Sequence, residues 1–190
     1  MTGPDLLQVL KAVVSTARRH RVRVILMGGM AVSVYAPPRA TYDIDAIGEF
    51  GEGTMAPFLA DLKKQGFTFD EGKPVREIAG LPFVSFFHPR SKIYFDLFIA
   101  ESEFQESIVR RSRPLRFEGI ELELISPEDL ILVKILSGRS RDNEDIRQIL
   151  EENSRTLDFD YLREWAGKLG RQVFLEDEIK SVGINLPDLK

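Results

Sequence analysis

The chain has 190 residues, 43% hydrophobic and 29% charged, a formal net charge of −4 and no cysteine; this suits one large globular domain, or a domain with a small appendage, that can bury a core. Without cysteine, disulfides, thiolate catalysis and cysteine-ligated zinc are excluded and a cytoplasmic location is expected. The acidic balance disfavours a non-specific coat on nucleic acid, and no apolar run approaches the ~20 residues that span a bilayer, nor does the N-terminus carry the long apolar core of a secretory signal.

Leu6, Leu7, Leu10, Val13, Val14 and Ala17 recur with a helical period over residues 4–20, and Pro4 sits where a first-turn proline is tolerated. Val22 and the run Val24–Met27 then predict a buried strand that meets a tight turn at Gly28-Gly29. A short helix over Met30–Ala36 is stopped by Pro37-Pro38. Tyr42–Ile47 predicts a strand with Ile44 and Ala46 on one face and Asp43, Asp45 and Ile47 on the other. Residues 54–66 read as a helix ended by Gly66, and Phe67–Phe69, Phe83–Phe87 and Ile93–Ile99 as strands rich in aromatic and β-branched residues. A helix over 102–111 precedes two short strands, Leu115–Phe117 and Ile120–Leu124, joined across Glu118-Gly119. From Ser126 the pattern is wholly helical, with Ser126 as N-cap, Pro127 in the first turn and Glu128 and Asp129 behind it. Helices are expected at 127–137, 142–152, 158–168 and 171–181. The division that follows is a β-rich domain over 1–124 and a helical region over 125–190.

The chemistry concentrates on acids. Asp43 and Asp45 are two apart on a strand, so their carboxylates project to one side with β-carbons roughly 6–7 Å apart. Asp96 interrupts the apolar strand Ile93-Tyr94-Phe95-Asp96-Leu97-Phe98-Ile99, where a carboxylate is costly unless paired or metal-bound. Three such acids on neighbouring strands are a means of holding two hard divalent cations, Mg²⁺ or Mn²⁺, for in-line phosphoryl transfer. At Gly28 and Gly29 the backbone amides can approach an anion closely, and the helix N-terminus that follows favours phosphate. Lys134, Gly138, Asp142 and Asp145 would form one polar stripe if a single helix ran through them, although Gly138 and the Ser-Arg-Ser-Arg run at 137–141 favour a break. His20 and His88 lack partners at metal-ligand spacing, Trp165 reads as core, and Phe83–Phe87 reads as sheet core rather than a base-stacking platform. The basic clusters Arg18-Arg19-His20-Arg21-Val22-Arg23 and Arg110-Arg111-Ser112-Arg113 read first as solvated helix ends and second as phosphate- or RNA-facing surfaces.

The order strand, Gly28-Gly29, short helix, Asp43-Ile44-Asp45 and a later strand Asp96 resembles the polymerase-β-type nucleotidyltransferase superfamily. Gly28-Gly29-Met30-Ala31 with Arg39-Ala40-Thr41-Tyr42-Asp43-Ile44-Asp45 is similar to the minimal nucleotidyltransferases of the AbiEii type, which include toxins of toxin–antitoxin pairs. Their helical block resembles Ser126-Pro127-Glu128, Lys134, Arg141-Asp142 and Asp145, so the resemblance spans about residues 22–150. Gly29 departs from the superfamily's usual Gly-Ser pair, a glycine the AbiEii-like branch shares.

The resemblance implies an α/β (α+β) nucleotidyltransferase fold: a small mixed, twisted sheet flanked by helices and followed by a C-terminal helical bundle. It further implies a Mg²⁺-dependent enzyme that moves a nucleoside monophosphate from a nucleoside triphosphate to an RNA, such as a tRNA 3′ end, or to a protein hydroxyl, with an antitoxin as a further partner. Asp43, Asp45 and Asp96 would hold the metal, and Asp96 would also activate the nucleophile. Gly28, Gly29, Arg39, Thr41, Lys134, Asp142 and Asp145 would serve the nucleotide, with Lys134 neutralising triphosphate charge. An inactive nucleotidyltransferase-like module that binds nucleotide, RNA or a partner is the alternative. Oligomeric state stays open at this stage.

Overall fold

The computed structural model describes residues 4–78 and 81–184. These fall into two compact units, one comprising the residues through Ala31 together with Arg39–Ile125, the other Val32–Pro38 together with the residues from Ser126 onward. Among the described residues no helix is long and apolar enough to cross a membrane.

In the first unit, α1 (Pro4–Arg19) buries Leu6, Leu10, Val13 and Ala17 along one stripe and leads into β1 (Arg23–Met27). Helix α2 (Gly28–Tyr35) begins at Gly28, two residues earlier than expected from Met30, because Gly28 takes a left-handed φ of 63° and makes the strand-to-helix turn itself. After Pro37-Pro38 the chain enters β2 (Asp43–Glu49), then α3 (Met55–Lys64). The strand expected at Phe67–Phe69 is a single bridge between Thr68 and Phe87. A short strand that the sequence pattern had not indicated, β3 (Arg76–Ile78), pairs with β4 (Leu81–His88). There follow β5 (Ile93–Ile99), α4 (Glu103–Arg111), β6 (Arg113–Phe117) and β7 (Ile120–Leu124). Glu118 and Gly119 both adopt positive φ, the conformation a tight two-residue hairpin requires.

The seven strands make one mixed sheet in the order β3-β4-β5-β2-β1-β7-β6, with β2–β5 and β1–β7 parallel and the other pairs antiparallel. Strict alternation separates its two faces. Ile44 and Ala46, Phe95 and Leu97, and Val84 and Phe86 lie on one face and are buried. Helix α3 covers that side: Phe58 packs edge-on against Phe50, whose ring fills the space beside Gly48. Phe86 stacks on Phe95 and is met edge-on by Phe67, which adds ring-pair attraction to area burial.

The opposite face carries Asp43, Asp45 and Ile47 on β2, in register with Tyr94, Asp96 and Phe98 on β5. Its Arg23 end is tied to α4. Arg23 bonds the Val109 carbonyl and the Glu123 carboxylate, Glu123 also accepts from Ser112, and Glu49 lies 3.5 Å from the same guanidinium. The Arg23 hydrogen bond, aided by Ser112, holds the Glu123 carboxyl below the usual glutamate range, and Glu123 raises Arg23 in turn. A carboxyl depressed in the fold stabilises it at neutral pH, and that contribution is lost as pH falls through the folded value; Arg23 stays charged throughout that window. Glu123→Gln is therefore expected to lower stability by about 1 kcal/mol at pH 7, given the partial exposure of the pair. The difference should shrink as pH falls through the folded value of Glu123, as read from urea midpoints over a descending pH series.

The second unit holds α5 (Pro127–Ser137), α6 (Ser140–Asn153), α7 (Phe159–Lys168) and α8 (Gln172–Ser181). Ser126 caps α5 as expected, its hydroxyl accepting from the Asp129 amide and donating to the Asp129 carboxylate. The single-helix stripe from Lys134 to Asp145 is not observed: Gly138, at φ 63°, ends α5 in a left-handed cap, and α6 begins at Ser140. Helix α6 therefore starts two residues before the expected 142.

Candidate active site

Register gathers the acids. Asp45 and Asp96 are direct partners across β2–β5, and Ser85 on β4 faces Asp96, so one row across the sheet reads Ser85, Asp96, Asp45, Met27. Asp43 lies one row along, paired with Tyr94. Since partners in register project to one side, all three carboxylates occupy the same face. Ser85 Oγ donates to Asp96 Oδ1 at 2.5 Å, and Thr41 Oγ1 donates to Asp43 Oδ1 at 2.8 Å. Ser85 was absent from the sequence expectation. Only the β4–β5 register discloses it, because a serine in an alternating strand carries no signal of its own.

The glycine pair is shaped around these acids. A β-carbon at Gly28 would collide with Asp45 Oδ2, so the turn and the carboxylate are in direct contact. A β-carbon at Gly29 would meet Thr41 Oγ1 at 2.7 Å and Arg39 Nη1 at 3.4 Å. The departure from the usual Gly-Ser pair thus has a local cause: a serine at this position would displace the Thr41 hydroxyl that holds Asp43. Gly29→Ser is expected to push the Thr41 hydroxyl off Asp43 while leaving the melting temperature within a few degrees.

Among the described residues no three His, Cys, Asp or Glu side chains converge as a metal-holding group. The three acids expected to hold the metal thus share one face of the sheet without forming such a group. The donor set itself suits a hard divalent cation: carboxylates on adjacent strands, with no sulfur or imidazole among them.

In the second unit Lys134 Nζ lies 2.8 Å from Asp142 Oδ1 and 2.7 Å from Asp145 Oδ2, bridging α5 and α6. Lys134 is 6% exposed and Asp145 2% exposed. Ser137 donates to the second oxygen of Asp142. These three predicted residues are thus brought together as a buried ion triad. Asp129 is buried too and accepts the Tyr161 hydroxyl at 2.5 Å.

The first basic cluster is largely neutralised within its own unit: Arg18 pairs with Glu121, Arg19 and His20 with Asp61, and Arg23 with Glu123 and Glu49. The His20 hydrogen bond, with Lys64 adding to it, holds the Asp61 carboxyl below its usual range. In the second cluster Arg110 pairs with Glu106.

Known structures share this architecture. The chain superposes on the antibiotic-resistance factor ANT(2'')-Ia in solution with a TM-score of 0.61 at 14% identity, covering 92% of this chain and 97% of that one. It superposes on the lincosamide antibiotic adenylyltransferase LnuA, solved with lincomycin bound, with a TM-score of 0.53 at 18% identity over 75% and 94% of the two chains. An antigenic nucleotidyltransferase-like protein from Paracoccidioides brasiliensis gives 0.51 at 16% identity over 95% and 94%. The fold is that of the nucleotidyltransferases. The chain belongs to the family described as "Nucleotidyltransferase of unknown function (DUF6036)", whose model matches residues 5–182. No curated protein matches the sequence.

Proposed function

We propose that this protein transfers a nucleoside monophosphate from a nucleoside triphosphate to an acceptor hydroxyl on an RNA or a protein. The observation that carries the reading is the in-register pair Asp45–Asp96, with the Gly28 turn against the Asp45 carboxylate. That arrangement sets a turn able to receive phosphate beside two acids able to manage its charge.

Asp43, Asp45 and Asp96 would hold Mg²⁺, which when bound supplies Lewis-acid stabilisation of charge on the phosphate oxygens. Thr41 and Ser85 orient the Asp43 and Asp96 carboxylates through their hydrogen bonds. The first-turn amides of α2 at Gly28 and Gly29 receive the phosphates, and Arg39 and Thr41 brace the segment leading into β2. The acceptor oxygen forms a bond to the α-phosphorus, the bond from that phosphorus to the bridging oxygen breaks, and pyrophosphate leaves. Asp96 accepts the acceptor's proton. Lys134, Asp142 and Asp145, which pair with one another between α5 and α6, are assigned a structural part in the helical unit.

The sequence likeness to AbiEii-type proteins supports placing the chain in that branch, with toxin activity and a co-encoded antitoxin. A second reading, a binding module without turnover, is favoured by the hydroxyls that hold Asp43 and Asp96. The test is incubation with each labelled nucleoside triphosphate, with and without Mg²⁺, against total RNA and total protein. Metal-dependent labelling of either acceptor supports transfer, whereas metal-dependent nucleotide binding with no labelled product supports the module.

A further inference from the structure

The face that carries the acids continues along the β4–β5 hairpin. Phe87 and Tyr94 are partners one row from Ser85–Asp96, and their ring centroids lie 4.8 Å apart at a 36° tilt. Tyr94 is 55% exposed although it interrupts an otherwise well-covered strand. The turn that closes the hairpin, Pro89–Lys92, contributes two exposed cations, Arg90 and Lys92. Among the described residues neither makes an ion pair, in contrast to Arg18, Arg19 and Arg23. Lys92 is held at φ 55°, so the turn is tightly made. An exposed tyrosine ring set against a half-buried phenylalanine, two unpaired cations and a carboxylate row thus follow one another along a single hairpin.

We propose that this hairpin end is a binding site for the 3′-terminal segment of a single-stranded RNA, with the last base stacked on Tyr94 and Phe87 and the preceding phosphates met by Arg90 and Lys92. Sequence-tolerant stacking on aromatic rings combined with backbone cations is how single strands are held without base readout. Tyr94 and Asp96 are two residues apart on one strand face, about 6.6 Å. That step is comparable to the reach from a nucleobase to its own ribose hydroxyls, so a base stacked on Tyr94 delivers its terminal hydroxyl towards Asp96. Within the Phe83–Phe87 segment, Val84 and Phe86 are buried and Phe87 is half-buried beside Tyr94. The proposal rests on the transferase reading for its functional meaning and on the hairpin alone for binding.

The test is fluorescence anisotropy of the full chain with a 5′-labelled oligoribonucleotide, over a range of salt concentrations. Tyr94→Ala is expected to weaken binding about tenfold, and Tyr94→Phe to restore it, since the ring and not the hydroxyl does the stacking. Arg90→Gln with Lys92→Asn should reduce the slope of log affinity against log salt by about 1.4, at ~0.7 for each single-strand phosphate no longer neutralised. Melting temperatures of these surface variants guard against unfolding. Unchanged affinity and salt slope in both variants, or no binding by the wild type at low salt, overturns the proposal. The two readings separate with Asp45→Asn: RNA binding retained by that variant, with no turnover even in the wild type, sustains the hairpin and sinks the transferase. Labelling of RNA with unaltered KM in the hairpin variants sustains the transferase and sinks the hairpin. Labelling of protein alone, insensitive to these variants, also sinks the hairpin.

Discussion

Asp45→Asn is expected to reduce nucleotide transfer by at least 10²-fold, the scale on which loss of one preorganised electrostatic partner acts, with little change in stability. Asparagine keeps the volume that Gly28 accommodates and the register with Asp96, and replaces the charged carboxylate with a neutral amide. Asp45 is partly exposed, so solvent can reach the substituted amide. The stronger form of the experiment combines Asp43→Ala with Asp45→Ala. Nucleotide transfer that survives both changes in a labelled-triphosphate assay sinks the assignment of the acids. The melting temperature serves as the internal control, because a drop parallel to the lost activity would mean unfolding rather than lost chemistry.

The largest effect on stability is expected at Lys134. Replacing it with methionine keeps most of the stem's packing but leaves Asp142 and Asp145 facing each other, with Asp145 almost wholly buried. Breaking a buried pair by removing one partner costs about 3–5 kcal/mol, because an uncompensated charge stays behind. In a chain of this size that corresponds to a melting temperature lower by roughly 10 °C. Adding Asp145→Asn and Asp142→Asn should recover much of the loss. If Lys134→Met leaves stability untouched and abolishes only triphosphate binding, the triad is not structural, and the role the sequence resemblance assigns to Lys134 gains the ground.

What could be read from the sequence followed the strength of its local signals. The alternation in Tyr42–Ile47 and Ile93–Ile99 placed Asp43, Asp45 and Asp96 on strands, and pairing across β2–β5 then set them on one face. Capping chemistry at Ser126 was legible because an N-cap serine followed by proline has few other uses. Three features were not legible, each for want of a local cue. Strand β3 is three residues of mixed type that become a strand only by adding to β4. Phe67–Phe69 has strand composition, yet tertiary packing turns its rings onto Phe86 and His88 and allows a single bridge. Ser85 acquires its place solely from what stands across the ladder. The break at Gly138 was foreshadowed by the glycine, but its result, Lys134 folded back onto Asp142 and Asp145, depends on a helix-to-helix angle that no spacing reports.

The two outermost strands of the sheet bear on how copies of this chain behave in a crowded solution. At one border β3 is three residues long and exposes Arg76 and Glu77; at the other, β6 carries Arg113, Pro114 and Arg116. Short length, like charges and a proline are the features that stop one sheet from extending into the next, since an approaching strand finds charges to desolvate and a missing amide. The sheet is thus guarded at both borders against open-ended polymerisation, and a substitution such as Pro114→Val would be the place to look for the onset of aggregation at high concentration.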